Sequence, residues 1–311
     1  MQNQLKDFKK SFGGAGRASG KSNYPLIALF LLPSVLLVGV FVYYPAIRGI
    51  FMAFQDVKSY NMFSTEWCGL DNFRTLFKTA GYVTQWKNTF IWMIGCVGGE
   101  LILGFGLALL LQKSFKGKGL YEGIVYMPWA LSGFMVGIMW KWIFNGSGGV
   151  LNDLLMRLGI ISAPVNWLTT PGLNLNAIIV AKVWTGLAFF AIISSAALKT
   201  VPRELYESAE LDGANAFQKF RNITLPGIKT IMLMTILLRA IQTFGSPDLI
   251  YSMTQGGPAN SSQIVTSFIY LNVMKGGDYG MISAASLIMW VFIMVCSAIY
   301  IKATNALKAG D

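Results

Sequence analysis

Few residues in this chain have the types and spacing that catalysis or metal binding requires. Histidine is absent, and the three cysteines, Cys68, Cys96 and Cys296, stand singly and far apart. A zinc site needs clustered cysteine and histidine ligands, and a redox dithiol needs the CxxC spacing. The GxSxG motif of serine hydrolases is missing as well. The sequence therefore predicts no catalytic residue, no metal site and no enzyme activity in this chain.

One stretch has the form of a nucleotide-binding loop. Residues 15–22 read AGRASGKS, and glycines followed by a lysine can cradle phosphate groups. Such a loop requires a buried strand before it and an amphipathic helix after it. Here a charged segment precedes the stretch, and Asn23, Tyr24 and Pro25 lead directly into an apolar run. We therefore predict a basic cytoplasmic tail over residues 1–24 and no cofactor bound by this chain.

Charged side chains inside the apolar runs are a second candidate group. An ionised side chain in a membrane is costly unless it faces a cavity or a partner. Lys141 and Lys182 lie near the ends of their runs and can reach the membrane surface, whereas Glu100 and Arg239 lie deeper. Arg239 begins a polar row with the spacing of one helix face, which also includes Gln242, Thr243 and Ser246. This face predicts a substrate cavity or, equally, a structural bond of Arg239 to Glu100 or to a second subunit.

Composition places these residues in a membrane. Of the 311 residues, 54% are hydrophobic and 13% are charged, a balance that a soluble domain of this size does not show. Apolar stretches of about 20 residues can cross the roughly 30 Å hydrocarbon core as helices. The predicted fold is therefore all-α and integral to the membrane, with six transmembrane helices in one domain over residues 25–311. The predicted spans are about 25–47, 88–112, 123–144, 176–198, 230–245 and 280–301.

The loops between these spans predict the orientation of the chain. The formal net charge is +11, and lysines and arginines concentrate in the tail, in loops 113–122 and 199–229, and after residue 301. Because positively charged loops stay in the cytoplasm, both termini are predicted to be cytoplasmic. Loops 48–87, 145–175 and 246–279 are then external. No loop combines a basic stripe with stacking aromatic residues, so no nucleic acid partner is predicted.

The cytoplasmic loop 199–229 has the local signals of two short helices. The first is predicted over Arg203–Leu211, and Gly213 permits a tight turn after it. Asn215 or Gly213 can cap a second helix over Ala216–Ile223, which Pro226 ends before the chain re-enters the membrane. Carboxylates on the first helix suit arginines of a partner protein.

The same loop resembles the signature of permease subunits of binding-protein-dependent ABC importers. That signature is EAA, three residues, Gly, nine residues, and then I-x-L-P. The chain has Glu207, Ser208 and Ala209, then Gly213, then ITLP at residues 223–226, with all spacings kept and Ser208 replacing one alanine. Further segments resemble carbohydrate importers of the maltose and glycerol-phosphate type. These are GLDNF at 69–73, VNWL at 165–168, DLIY at 248–251 and TQGGP at 254–258.

The resemblance implies that loop 199–229 is a coupling segment that docks in a cleft of a cytoplasmic ATPase. The coupling residues are Arg203, Glu204, Tyr206, Glu207, Ala209, Gly213, Leu225 and Pro226. The implied partners are two copies of that ATPase, which bind ATP and Mg²⁺, a second related permease, membrane lipid and an extracytoplasmic solute-binding protein. The solute-binding protein is expected to contact Gly256, Gly257 and Pro258.

The resemblance also implies a substrate cavity lined by the helices before and after the coupling segment. The matching positions are Thr185, Gly186, Phe189, Arg239, Gln242, Thr243 and Ser246. The predicted function is that of a permease subunit of an ATP-driven importer, which moves a sugar, oligosaccharide or sugar derivative across the cytoplasmic membrane by alternating access. The alternative is a gradient-driven secondary carrier. Such carriers often contain inverted repeats and broken spans, and the sequence predicts neither.

Overall fold

The computed structural model describes residues 24–62, 64–113 and 115–309, which are mainly helical. The predicted tail over residues 1–24 lies outside these residues, apart from Tyr24. Two-residue strands, β1 Gln55–Asp56 and β2 Glu66–Trp67, pair antiparallel in the segment after the second helix. In chain order the helices are α1 Tyr24–Val38, α2 Tyr44–Met52, α3 Asp71–Lys78, α4 Tyr82–Leu110, α5 Lys118–Tyr126, α6 Gly133–Ile143, α7 Val150–Arg157, α8 Asn174–Leu198, α9 Arg203–Leu211, α10 Ala216–Lys219, α11 Leu225–Phe244, α12 Asp248–Met253, α13 Val265–Met274 and α14 Tyr279–Ala309.

The chain forms two compact units, residues 1–51 and residues 52–311. In the first unit a π-helical turn, Gly39–Tyr43, joins α1 to α2. The result is one helix, Ile27–Met52, with 26 residues and a mean hydropathy of 2.3. None of the residues in its most apolar window is buried. A helix that is apolar on all sides suits lipid or a membrane partner.

Within the part of the chain that the structure describes, five helices are long and apolar enough to cross a membrane. In addition to the N-terminal one they are Tyr82–Leu110, Asn174–Leu198, Ala216–Phe244 and Tyr279–Thr304. These helices overlap five of the six predicted spans, and most of them extend beyond the prediction at one end. The extension is greatest for the span predicted at 230–245, because the helix that contains it already begins at Ala216.

The remaining predicted span, 123–144, is broken. A 3₁₀ turn, Met127–Ala130, follows α5, and the helix axis then bends by 99° before α6. Pro128 lies at the start of that turn, and Leu131 and Ser132 have extended ψ angles of 145° and 134°. The prediction that no span is broken is therefore wrong, because Pro128 has no backbone donor to continue an α-helix. Counted as one crossing, the bent pair would bring the total to six.

The centre of the second unit is the contact between α4 and α8. Gly104 of α4 lies against the backbone of Leu187 and the side chain of Phe190, and a methyl group at position 104 would overlap both. Small residues let membrane helices approach closely enough for their backbones to pack. Trp92 of α4 and Phe190 of α8 are fully buried beside this contact. Helices α11 and α14 pack around the pair and complete the bundle.

Helix α8 connects the two ends of this bundle. Its 25 residues correspond to a length of about 37 Å. At the first residue, the Asn174 amide donates to Gly257 O over 3.0 Å, in a loop predicted to be external. At the last turn, Leu198 packs with Val201 at the start of the predicted coupling segment. The residues predicted to contact a binding protein and those predicted to contact an ATPase therefore lie at opposite ends of one rigid helix.

Candidate functional site

The predicted coupling segment forms a helix, a tight turn and a second helix. Helix α9 has the predicted bounds, Arg203–Leu211. Gly213 has a φ of +75°, a left-handed conformation that only glycine adopts at little cost. The Asn215 side chain accepts from Gln218 N at 2.9 Å, and the Gln218 side chain accepts from Asn215 N at 2.8 Å. Of the two caps that the sequence allowed, the structure has Asn215, and these reciprocal bonds fix the start of α10.

Helix α9 exposes both apolar and acidic side chains. It contains no buried residue, and Leu205 and Leu211 are 50% and 91% exposed. The carboxylates of Glu204 and Glu207 also lie on exposed residues. Exposed leucines next to carboxylates are typical of a surface that another protein covers.

The inner side of α9 is anchored to the second helix. Tyr206 Oη lies 2.9 Å from the hydroxyl of Thr224, and Lys219 Nζ lies 2.7 Å from a carboxylate oxygen of Glu210. A cavity of about 740 Å³ lies beside this anchor, and Arg203 and Glu207 contribute to its lining. Ala209 is half-buried under the turn. The two helices of the segment are therefore held against each other by side-chain bonds.

The predicted end of the second helix at Pro226 is wrong. Helix α10 runs into a π-helical turn, Phe220–Thr224, and then directly into α11. Pro226 occupies the first turn of α11, and the wider π turn before it changes the hydrogen-bond register where proline lacks a donor. Leu225 and Pro226 are both exposed. The coupling segment is thus continuous with the membrane helix that follows it.

In the middle of the bundle, Arg239 pairs with Glu100. Both side chains are buried, Arg239 at 8% exposure and Glu100 at 0%. The pair is bidentate: the Arg239 Nη2 donates to Glu100 Oε1 at 2.8 Å, and Nε donates to Oε2. Charge-assisted bidentate pairs are the strongest hydrogen bonds that side chains make, and they hold both groups in one orientation. The sequence left several roles open for Arg239, and the structure contains one of them, the bond to Glu100.

Helix α8 closes around this pair. A methyl group at Gly186 would overlap both the carboxylate of Glu100 and the guanidinium of Arg239. The ring of Phe189, one turn further along α8, lies 5.4 Å from the Arg239 guanidinium carbon. An aromatic face at this distance attracts a cation. Lys182 is only 9% exposed, so it does not reach the membrane surface as predicted, and it adds a second positive charge near Glu100.

The other predicted cavity residues do not form one wall. Gln242 is exposed and accepts from Arg239 Nη1 at 3.3 Å. Thr243 is fully buried, and its backbone oxygen accepts from the indole of Trp92 at 3.2 Å. The Thr185 hydroxyl bonds to Lys182 O within its own helix, and Ser246 lies past the end of α11. The structure therefore brings together Gly186, Phe189, Arg239 and Gln242, and the Ser246 hydroxyl donates to Gln242 O at 3.2 Å.

The predicted contact with a binding protein lies on a loop fixed by buried polar groups. Gly256 has a φ of +83°, and Gly257 and Pro258 are joined by a cis peptide bond. Gly257 O accepts from the Asn174 amide at 3.0 Å and from the Ser262 hydroxyl at 3.0 Å. Asn174 and Ser262 are fully buried. Sequence reasoning missed these anchors, because an asparagine at a predicted span end looks like an ordinary helix cap.

The described residues include no group of three or more cysteine, aspartate, glutamate or histidine side chains that could hold a metal ion. Cys96 is buried in the bundle, and Cys296 lies on its exposed side. What the arrangement offers is a projecting helical segment at one end, an ordered set of loops at the other and a bidentate ion pair between them. These are parts suited to transmitting a movement through a membrane.

Known proteins resemble this chain in both sequence and fold. A family described as the binding-protein-dependent transport system inner membrane component matches residues 100–304. The chain is 35% identical over 280 residues to a probable ABC transporter permease of Brucella suis biovar 1, covering 90% of this chain and 96% of that protein. It is 33% identical to the trehalose/maltose transport system permease protein MalF of Thermococcus litoralis, over 88% of this chain and 92% of that one.

A solved structure has the same fold over nearly the whole chain. It is a crystal structure of a bacterial ABC transporter involved in the import of the acidic polysaccharide alginate. The matched chain has a TM-score of 0.77 and 26% identity, and the match covers 92% of this chain and 96% of that one. The family match covers well over half of the chain and confirms the family that the sequence predicted. The chain therefore belongs to the binding-protein-dependent transport system inner membrane components and is a multi-pass membrane permease of the ABC transporter class.

Proposed function

We propose that this chain is the membrane-spanning subunit of an ATP-driven importer that moves a sugar, an oligosaccharide or a sugar derivative inward by alternating access. The observation that carries the proposal is the projecting α9 segment. The segment keeps the spacing of the permease signature and exposes two leucines on α9, and the Gly213 turn joins α9 to α10, which is continuous with the membrane helix α11. A push on α9 would therefore act directly on the helix that carries Arg239.

The sugar class is supported by the relatives. One is named as a trehalose/maltose permease, and another, 31% identical, as a sulfoquinovosyl glycerol transport system permease of Agrobacterium fabrum. The alginate importer is an acidic-polysaccharide system. In this chain Glu100 compensates the charge of Arg239, so that guanidinium alone does not select an acidic sugar. Phe189 and Gln242 are the predicted cavity residues best placed to contact a pyranose ring and its hydroxyls.

The proposed assembly has three kinds of partner. Two copies of a cytoplasmic ATPase, which bind ATP and Mg²⁺, would receive Glu204, Glu207 and the exposed leucines of α9. A second related permease would complete the substrate route, because Gln242, which bonds to Arg239, is exposed on the surface of this chain. A solute-binding protein would dock at the loop that contains Gly257 and Pro258. A solved alginate transporter includes a periplasmic protein with bound alginate pentasaccharide, which supports a partner of this kind.

Import by the reconstituted complex tests this function. We expect uptake of radiolabelled oligosaccharide into proteoliposomes that enclose ATP, only when the solute-binding protein is added outside. A protonophore should leave uptake unchanged, because no ion gradient drives it. Uptake that a protonophore abolishes and that continues without ATP would contradict the proposal and favour a gradient-driven carrier.

The proposed orientation has both termini in the cytoplasm and loops 48–87, 145–175 and 246–279 outside. Cys68 lies in the first of these loops and is half-buried, whereas Cys96 is fully buried. We expect a membrane-impermeant maleimide added to intact cells to label Cys68 at moderate speed. The variant Cys68→Ser should lose this labelling. If Cys68 is labelled only after the cells are lysed, the orientation of the chain is opposite to the proposed one.

The rate of that labelling is expected to depend on pH in a defined direction. Burial raises the pKa of the Cys68 thiol above its ordinary value, and the nearby carboxylates of Asp56 and Asp71 raise it further. Since the thiolate is the reactive form, a raised pKa means less thiolate at neutral pH. The labelling rate should therefore still be rising at a pH where that of a free cysteine has levelled off.

A further inference from the structure

A polar pocket of about 430 Å³ opens at the predicted external end of the bundle, next to Gly257 and Pro258. It lies between the end of α6, the segment around VNWL and the loop after α12. Its walls contain amides, two threonine hydroxyls, an ammonium group and aromatic rings. The polar and aromatic residues that line it include Lys141, Asn145, Asn166, Trp167 and Thr169.

One side of this outer pocket is fixed by Asn152, which is only 2% exposed. Its amide donates to Val165 O at 3.0 Å and to Gly146 O at 3.2 Å. Its side-chain oxygen accepts from Val165 N at 3.2 Å and from the indole of Trp167 at 2.9 Å. A single buried asparagine therefore ties two separate loop segments to helix α7.

The opposite side is fixed by Asn174, which has no exposed surface. Its amide donates to Gly257 O at 3.0 Å and to the Ser261 hydroxyl at 2.6 Å. The Asn88 amide holds the same loop through Ser261 O and Gln263 O, both at 3.0 Å. External loops are commonly mobile, so this number of buried amide bonds indicates a surface that must keep one shape.

The pocket is also restricted at its base. A methyl group at Gly146 would overlap the side-chain oxygen of Asn166, so the two loops meet with no room for a larger residue. A preformed pocket of this kind loses little conformational entropy when it binds. The walls do not need to rearrange to accept a ligand.

The charge of the pocket is positive. Lys141 is the one charged residue in its lining, and no carboxylate contributes to it. The ion pairs recorded among the described residues involve other cations. Lys141 lies in the last turn of α6, where a cation is also favourable for the helix dipole. An ammonium group next to amides and a hydroxyl suits a ligand that carries a carboxylate and hydrogen-bonding groups.

We propose that this pocket receives a carboxylate-bearing loop of the solute-binding protein, with Lys141 Nζ bound to the carboxylate. The inference rests on the proposed function, because it requires such a protein as partner. The pocket lies at the end of α8 opposite the coupling segment, on the side from which that protein approaches. It is formed by the last turn of α6 and by loops at the rim, and not by the middle of the spans, as expected of a docking site and not of a sugar passage.

The test is the affinity of the purified permease complex, in lipid nanodiscs, for its solute-binding protein. We expect Lys141→Glu to raise the Kd at least tenfold at low salt and Lys141→Arg to leave it near the native value. Arg157→Glu is the matched control, since Arg157 is an exposed cation of α7 at the same end that pairs with Asp153 outside the pocket. This control should bind like the native complex. Size-exclusion chromatography checks that each variant complex is assembled.

A second measurement examines the carboxylate directly. Single acidic-to-lysine variants of the binding protein are combined with Lys141→Glu, and one of them should restore binding. Native affinity of Lys141→Glu in an assembled complex would overturn the proposal. If Lys141→Glu keeps native affinity for the binding protein but lowers sugar uptake, the pocket binds sugar and not the binding protein. Failure of the native complex to bind any solute-binding protein would instead contradict the proposed function, and the inference with it.

Discussion

Replacing Glu100 by alanine is expected to destabilise the bundle by about 3–5 kcal/mol, because Arg239 would keep its charge in a buried site without a counterion. The Arg239 guanidinium is 8% exposed, and the second cation nearby, Lys182, adds repulsion once the carboxylate is gone. The measurement is the thermal melting of the purified complex in detergent, followed by size-exclusion chromatography. We expect a clear fall in the melting temperature and in the yield of the assembled complex.

The matched control removes both charges. A double variant, Glu100→Met with Arg239→Met, leaves no buried ion, and exchange of a buried pair for apolar residues is often neutral or stabilising. It should recover most of the stability that Glu100→Ala loses. If that folded double variant still imports sugar, Arg239 has a structural role only; if import is lost, Arg239 also contacts the substrate. Native melting of Glu100→Ala would show that the pair contributes nothing.

The variant Gly186→Ala tests independently whether α8 must pack closely against the Arg239–Glu100 pair. A methyl group at this position overlaps both the carboxylate and the guanidinium, whereas a methyl group at Gly98 of α4 meets nothing within 4 Å. Gly186→Ala should therefore lower the melting temperature in the same direction as Glu100→Ala. Gly98→Ala should not, because alanine also favours the helical conformation. Equal melting of the two alanine variants would mean that α8 does not need to lie close to the pair.

The helices that cross the membrane could be predicted from sequence because their signal is local. Length and hydropathy were enough to locate the helices that became α4, α8 and α14. The break before α6 could not be found in this way, since hydropathy averages over Pro128 and the extended residues after it. The long extension of the fifth span back to Ala216 was missed because Pro226 normally ends a helix. A π-helical turn removes that constraint here.

The surroundings of the Arg239–Glu100 ion pair were predictable only in part. Helical spacing placed Arg239 and Gln242 close to each other, and they are bonded in the structure, but that spacing does not identify a partner 139 residues away. The role of Gly186 depends on that partner as well, since it is set by two side chains from other helices. The buried asparagines of the outer loops were missed for the same reason. Each of them bonds to backbone atoms of segments that are distant in sequence.

The first half of the predicted coupling segment, up to the start of α10, was in contrast predictable almost to the residue. Its bounds follow from a helix start at Arg203, a glycine that must adopt a left-handed φ and an asparagine that caps the next helix. All of these signals lie within about one turn of the feature that they define. The exposure of Leu205 and Leu211 could not be deduced from spacing, because an amphipathic helix in a loop normally buries its leucines.

Changing Gly213 to valine is expected to uncouple ATP hydrolysis from transport. The φ of +75° at this position costs a β-branched residue about 1–3 kcal/mol, so the turn opens and α9 leaves its position relative to α11. In the reconstituted complex with saturating binding protein and sugar, stimulated hydrolysis should fall close to the unstimulated rate. Glu207→Ala should lower it as well, by removing a carboxylate from the docking surface.

A second glycine allows local strain to be separated from coupling. Gly159 follows α7 in a predicted external loop, has a φ of +70° and, like Gly213, has open space where a side chain would lie. Gly159→Val therefore introduces a comparable backbone strain at the opposite end of the bundle. It should leave sugar-stimulated hydrolysis intact. If both valine variants lose stimulation equally, the loss reflects general destabilisation. If Gly213→Val keeps full stimulation in an assembled complex, ATPase movement does not pass through α9, and the route by which α11 responds to nucleotide must begin elsewhere.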